Sequence, residues 1–148
     1  MTSAFIDPRD GLDLRLLPHT GAARLLTAIV RSEPGFLEAI GRVGAEHPLA
    51  CRGKVPSFLG LELGAQAAAA MEALHHLGGA DETARRSGYL VRVREAAFTM
   101  PDLPANTPLL VTARLEAAAS PLAIHRISVR VEGVECVTAV IGTFSRTR

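Results

Sequence analysis

VPSFLGLELGAQAAAAMEAL, residues 55–74, decides the fold. It is apolar or small at almost every position, and its middle is alanine, the strongest helix former. Proline suits a first helical turn and glycine a helix end, so Pro56, Ser57 and the Gly78-Gly79 pair predict one helix over 56–77. A helix apolar on most faces is a buried one. Glu62 breaks that pattern, and a buried carboxylate is costly unless it is paired, protonated or used.

The sequence around the helix reads as strands. Residues 23–32 and 36–44 flank a Glu33-Pro34-Gly35 turn. After the polar stretch GADETARRS come four strand-like runs, 88–99, 108–118, 122–132 and 135–146, separated by PDLPANTP, AAASP and EGVE. HRISVRVEG alternates as a half-exposed antiparallel strand does. Residues 10–17 fit a short helix capped by Asp10 and stopped by Pro18. Four consecutive strands leave no room for parallel crossovers. The expected architecture is therefore α+β: an antiparallel sheet curled around one central helix, the hotdog arrangement, over residues 1–148 as one domain. Its open sheet edges predict side-by-side pairing with a second hotdog chain, identical or different.

Composition narrows the function. The 148 residues carry 16 Lys and Arg against 15 Asp and Glu, a net charge of +1, so nothing draws the chain as a whole to nucleic acid or to an anionic membrane. With no Trp and one Tyr, base stacking is not expected. Cys51 and Cys136 fit no metal spacing and are expected as reduced thiols of a cytoplasmic protein. The N-terminal MTSAFIDPRDG lacks the apolar core of a signal peptide, and the alanine run is too short to span a bilayer.

Four segments carry a resemblance: LLPHTGAARLL (16–26), VPSFLGLELGAQAAA (55–69), YLVRVREAAFTMPDLP (89–104) and VEGVECVTAVIGTFS (131–145). In that order and spacing the chain resembles the FabA/FabZ-type 3-hydroxyacyl-(acyl-carrier-protein) dehydratases, from about residue 14 to 146. It resembles most the dehydratase-like branch of aryl polyene pathways, which shares an early Leu-Pro-His and an acid-then-Ala-Gln helix. The typical His-Phe-Pro-Gly motif before the helix is absent; the matching stretch reads HPLACRGKVPS, with His47 slightly ahead of the family's histidine.

The resemblance implies elimination of water from a 3-hydroxyacyl thioester, with no cofactor and no metal. That chemistry needs a base for the α-proton, a donor for the developing enolate oxygen and an acid for the leaving hydroxyl. Glu62 is the expected acid, its proton retained by burial. His19 is the first candidate base and His47 the second. Backbone N–H groups near Leu59 and Gly60, at the helix start, are expected to polarise the thioester carbonyl, with Gly60 leaving room for substrate. Gln66, one turn after Glu62, can orient the carboxyl or bond a neighbouring strand.

Phe58, Leu59, Phe98 and Met100 are candidates to line the acyl path, although core packing is the stronger reading for each of them taken singly. Met71, Leu74 and Leu77 form a core stripe, His75 and His76 favour the helix C-terminal dipole, and His125 is expected to be exposed. The implied partner is an acidic acyl carrier protein bearing phosphopantetheine, met by Arg52 and Lys54 or by Arg85 and Arg86. Two rival roles stay open: a non-catalytic hotdog subunit beside an active dehydratase, and an acyl thioesterase.

Overall fold

A computed structural model describes residues 23–76 and 86–147. In chain order the elements are β1 (Leu26–Glu33), β2 (Phe36–Gly41), β3 (Lys54–Pro56), α1 (Leu59–His76), β4 (Arg86–Phe98), β5 (Asp102–Pro104), β6 (Leu109–Ala119), β7 (Leu122–Val131) and β8 (Val134–Thr147). Six strands form one antiparallel sheet in the order β1-β2-β6-β7-β8-β4, and β3 pairs with β5 in a small second sheet. The helix lies across one face, over β6, β7 and β2, with lighter contact to β8 and β1. This is the hotdog arrangement expected from the sequence.

Alternation in the strands builds the core. Leu37 and Ala39 on β2, Val111 and Ala113 on β6, Ile127 and Val129 on β7, and Ala139 and Ile141 on β8 all point at the helix and are buried. The helix answers with Leu63, Ala67, Ala68, Ala70 and Met71. Two glycines permit close approach: a Cβ on Gly60 would lie 2.7 Å from Val137, and one on Gly64 would lie 2.9 Å from the Cβ of Ile127.

Several boundaries differ from expectation. Pro56 ends β3 instead of opening the helix, which begins at Leu59. Ser57 is buried between the two elements; its N–H donates to the Pro101 carbonyl and its carbonyl accepts from Gly60 N–H. The expected PDLPANTP turn contains β5, and β3 takes up the residues just ahead of the helix, three residues each. The short helix at 10–17 lies outside the described residues, as do Leu77 and the Gly78-Gly79 stop. Met71 is buried and Leu74 half-buried, as a core stripe requires. No helix among the described residues is long and apolar enough to cross a membrane.

Candidate active site

Glu62 sits in the first turn of α1 and is half-buried, not enclosed as its apolar neighbours suggested. Its carboxyl is held from within the helix. Gln66, one turn on and fully buried, donates from Nε2 to Glu62 Oε1 at 3.0 Å. The same amide ties down the chain ahead of β1: Nε2 donates to Ala23 O at 2.7 Å, and Oε1 accepts from Leu25 N–H at 2.8 Å and Leu26 N–H at 3.3 Å. A backbone N–H only donates, so the Leu25 bond fixes which end of the Gln66 amide is oxygen. Both functions considered for Gln66, orienting the carboxyl and bonding neighbouring backbone, are filled at once.

The two candidate bases stand differently. His19 lies outside the described residues, four positions before Ala23, the first residue that Gln66 holds. His47 is half-buried in the loop before β3, and its Nδ1 accepts from Leu49 N–H at 3.1 Å. An imidazole accepting at Nδ1 carries its proton on Nε2 when neutral, so in this arrangement neither nitrogen offers an open lone pair.

The helix start is more tightly used than the sequence suggested. Gly60 N–H donates to Ser57 O at 2.9 Å and Leu61 N–H to Phe58 O at 2.9 Å. Gly60 is buried against Val137, so its missing side chain serves helix–sheet packing and leaves no room for a ligand. This corrects its expected role as substrate space. Leu59 is likewise core, 8% exposed.

Phe58 and Phe98, at 52% and 42% exposed, are presented to the outside. Met100 is half-buried against the core. Phe98 belongs to a larger apolar surface. Cross-strand partners share a face, so Phe98 (opposite Val137), Val93 (opposite Ile141) and Leu90 (opposite Thr143) all lie on the helix side of β4. The helix does not extend over them, and each stays exposed. Half-buried Leu61, Ala65 and Ala69 share a helical stripe with Glu72, which bonds Thr143 on β8, so they form the flank of α1 turned towards the β8–β4 side of the sheet. An apolar groove therefore runs between helix flank and edge strand.

Of the four basic candidates, Arg52 and Lys54 are exposed at a tight turn, with Arg52 at φ 52° and Gly53 at φ 74°. Cys51 and Lys54 close that turn by exchanging backbone bonds of 2.8 and 3.1 Å. Arg85 and the side chain of Arg86 lie outside the described residues, as do the side chains of His75 and His76. Both cysteines are free, Cys51 exposed and Cys136 buried. Among the described residues no group of His, Cys, Asp or Glu is arranged to hold a metal ion.

A polar cluster at the other end of the helix was missed from sequence. His125 on β7 is fully buried, not exposed, with Nε2 3.7 Å from Glu72 Oε1. Thr143 on β8 donates to that same oxygen at 2.9 Å. Among the described residues neither ring nitrogen of His125 has a hydrogen-bond partner, and burial lowers its pKa from 6.5 to about 4, which keeps the ring neutral. The signal was available: His125 shares its strand parity with Ile127 and Val129, the inward set, while Arg126 and Arg130 take the outward one.

The sheet's outer face carries a shallow open trough of about 610 Å³ between Glu38, Thr112, Arg114, Ser128 and Arg130. It lies across the sheet from Glu62. Its charges are partly closed by ion pairs, Arg126–Glu116 at 2.6 Å and Arg130–Glu135 at 3.4 Å, as on an ordinary solvated face.

Comparison with known proteins agrees with the fold. A family model described as ApeP-like, ApeP dehydratase, matches residues 14–148. No curated protein sequence matches the chain. Among solved structures, the dehydratase heterocomplex ApeI:P from Xenorhabdus doucetiae is similar at TM-score 0.79 and 20% identity, over 95% of this chain and 92% of that one. The TT0310 protein of Thermus thermophilus is similar at 0.58 and 20%, over 80% and 90%. A hypothetical thioesterase with coenzyme A from Streptococcus pneumoniae is similar at 0.58 and 11%, over 81% and 85%. At these identities the structural likeness speaks to the hotdog fold.

Proposed function

This chain belongs to the ApeP-like dehydratase family, and from that premise we propose that it eliminates water from 3-hydroxyacyl thioesters carried on an acyl carrier protein, giving the trans-2-enoyl thioester. One observation carries the reading. Gln66 joins the Glu62 carboxyl to the backbone that follows the His19 stretch, the arrangement an acid and a base on separate segments require.

In this account His19 takes the proton next to the thioester carbonyl. Glu62 gives a proton to the departing hydroxyl, which leaves as water, and the electron pair of the broken C–H bond becomes the new double bond. Gln66 holds the plane of the carboxyl through Oε1. The N-terminal end of α1, at Leu59, supplies positive potential for the enolate-like oxygen. His47 is the weaker candidate because its Nδ1 is engaged by Leu49. The acyl chain lies in the groove between the helix flank and β4, bounded by Phe58 and Phe98. Arg52 and Lys54 meet the acidic carrier protein.

A second hotdog chain covers that groove and pairs along β4. The edge strand supports this: every described residue from Gly88 to Phe98 is exposed, with Leu90, Val91 and Val93 among them. An apolar strand left open at a sheet edge calls for a cover. The structural relative from Xenorhabdus doucetiae is a heterocomplex, which makes a different hotdog chain the natural candidate.

The test is to assay enoyl formation by its conjugated absorbance, with the chain alone and with a neighbouring hotdog protein. Turnover that needs this chain's Glu62 supports the dehydratase reading. Turnover that survives Glu62→Gln and His19→Ala in the mixed complex makes this chain the non-catalytic subunit, and thiol release without enoyl makes it a thioesterase.

A further inference from the structure

We propose that Glu72, Thr143 and His125 form the far stop of the acyl groove and set the longest apolar chain it accepts, an inference that rests on the groove's assignment above. The two walls run in parallel. On β4, Phe98 stands opposite Val137, which touches Gly60 at the helix start, while Leu90 stands opposite Thr143, which bonds Glu72. Moving from Phe98 to Leu90 is therefore moving down the helix from Gly60 towards Glu72.

Between those ends the described walls are apolar: Phe98, Val93 and Leu90 on one side, Leu61, Ala65 and Ala69 on the other. After Glu62, the first ionisable group along that helix flank is Glu72. Ten residues separate the two, which places the stop about 15 Å from the acid along the helix axis.

The stop works by desolvation. A methyl end that reaches this point strips water from the Glu72 carboxyl and returns no hydrogen bond. The carboxyl is not readily swung aside, because Thr143 Oγ1 holds Oε1 at 2.9 Å and the buried His125 ring stands 3.7 Å behind it. Chains shorter than the groove never meet this cost.

Binding, not turnover, tests the stop. Unreactive S-octyl and S-hexadecyl thioethers of pantetheine are titrated by calorimetry into the chain assembled with its hotdog partner. The protein should bind the octyl probe at least about tenfold more tightly than the hexadecyl probe, and Glu72→Leu combined with Thr143→Val should bring the two within about threefold. Thr143→Val alone, nearly isosteric, should move the ratio part of the way and guards against a folding defect in the double variant. An unchanged ratio in both variants overturns the stop, and so does equal binding of the two probes, or failure of the octyl probe to bind, in the wild-type assembly. The expected ratios in a protein that shows no dehydration would uphold the stop while removing the enzymatic reading.

Discussion

Gln66 Nε2 lies 3.0 Å from Glu62 Oε1 while its Oε1 lies 2.8 Å from the Leu25 amide, so one buried side chain joins the helix carboxyl to the backbone ahead of β1. All of its hydrogen-bonding groups are engaged, and no apolar residue can replace it without leaving backbone N–H groups of Leu25 and Leu26 unpaired. Gln66→Leu should cost about 2–4 kcal/mol in urea unfolding, more than a volume-conserving core change. Gln66→Glu keeps acceptors for Leu25 and Leu26 but sets two carboxyls side by side. With the donor to Ala23 O also lost inside the fold, it should depress both stability and dehydration. A Gln66→Glu protein with normal turnover would separate Gln66 from the chemistry.

His125 should make the fold acid-sensitive. Its folded pKa, about 4, lies below the unfolded 6.5, so the unfolded chain binds the proton more readily. The associated stability is fully present above about pH 6.5 and is lost progressively as pH falls towards 4. A difference of roughly 2.5 units corresponds to about 3 kcal/mol, an upper figure because Glu72, 3.7 Å away, favours the charged ring. His125→Phe should flatten this part of the stability–pH curve, read from urea midpoints between pH 7 and 4.5. A curve of unchanged slope would show that another group sets it.

Gly64→Ala separates propensity from packing. Helix propensity alone favours alanine by about 1 kcal/mol. Packing opposes it, because the added Cβ would overlap the Ile127 side chain on the facing strand. Overpacking of a tight core costs about 1–3 kcal/mol, so the variant should be net destabilised, and Ile127→Val beside it should recover part of the loss. A more stable Gly64→Ala protein would mean that helix and sheet are less closely seated than this.

Much of this was legible in the sequence, and the misses have physical causes. The helix, its carboxylate and the six long strands follow from periodicity, since long segments repeat their signal. The β3–β5 pair was lost because each strand is three residues long and ends in proline, Pro56 and Pro104, with positive φ at Arg52 and Gly53 in the approach. At Gly60 the sequence tells only that something comes close; here it is Val137 and not a substrate. His125 takes the inward face that its parity with Ile127 and Val129 gives, against the outward bias of a histidine beside Arg126. Strand pairing also brought Thr143 and His125 to Glu72 from 71 and 53 positions away, a meeting that no local pattern announces.

The edge strand supplies a prediction about assembly. Val93 lies on the helix side of β4 and is 39% exposed, so Val93→Glu should place a charge within the covered groove and abolish pairing with the hotdog partner. Arg92 lies on the opposite face, beside Gly142, and Arg92→Glu should leave pairing intact. Light scattering on the mixed proteins reads both. Equal disruption by the two variants would mean that contacts on both faces of β4, not the groove alone, hold the pair together.

The most direct test is the rate of enoyl-thioester formation by Glu62→Gln, assayed with the hotdog partner present and circular dichroism confirming the fold. Loss of a proton donor predicts a fall of at least about 10²-fold with the Gln66 network and the assembly preserved. Turnover within a few fold of the unaltered protein would contradict the assignment of Glu62 as the acid, and with it a catalytic role for this site.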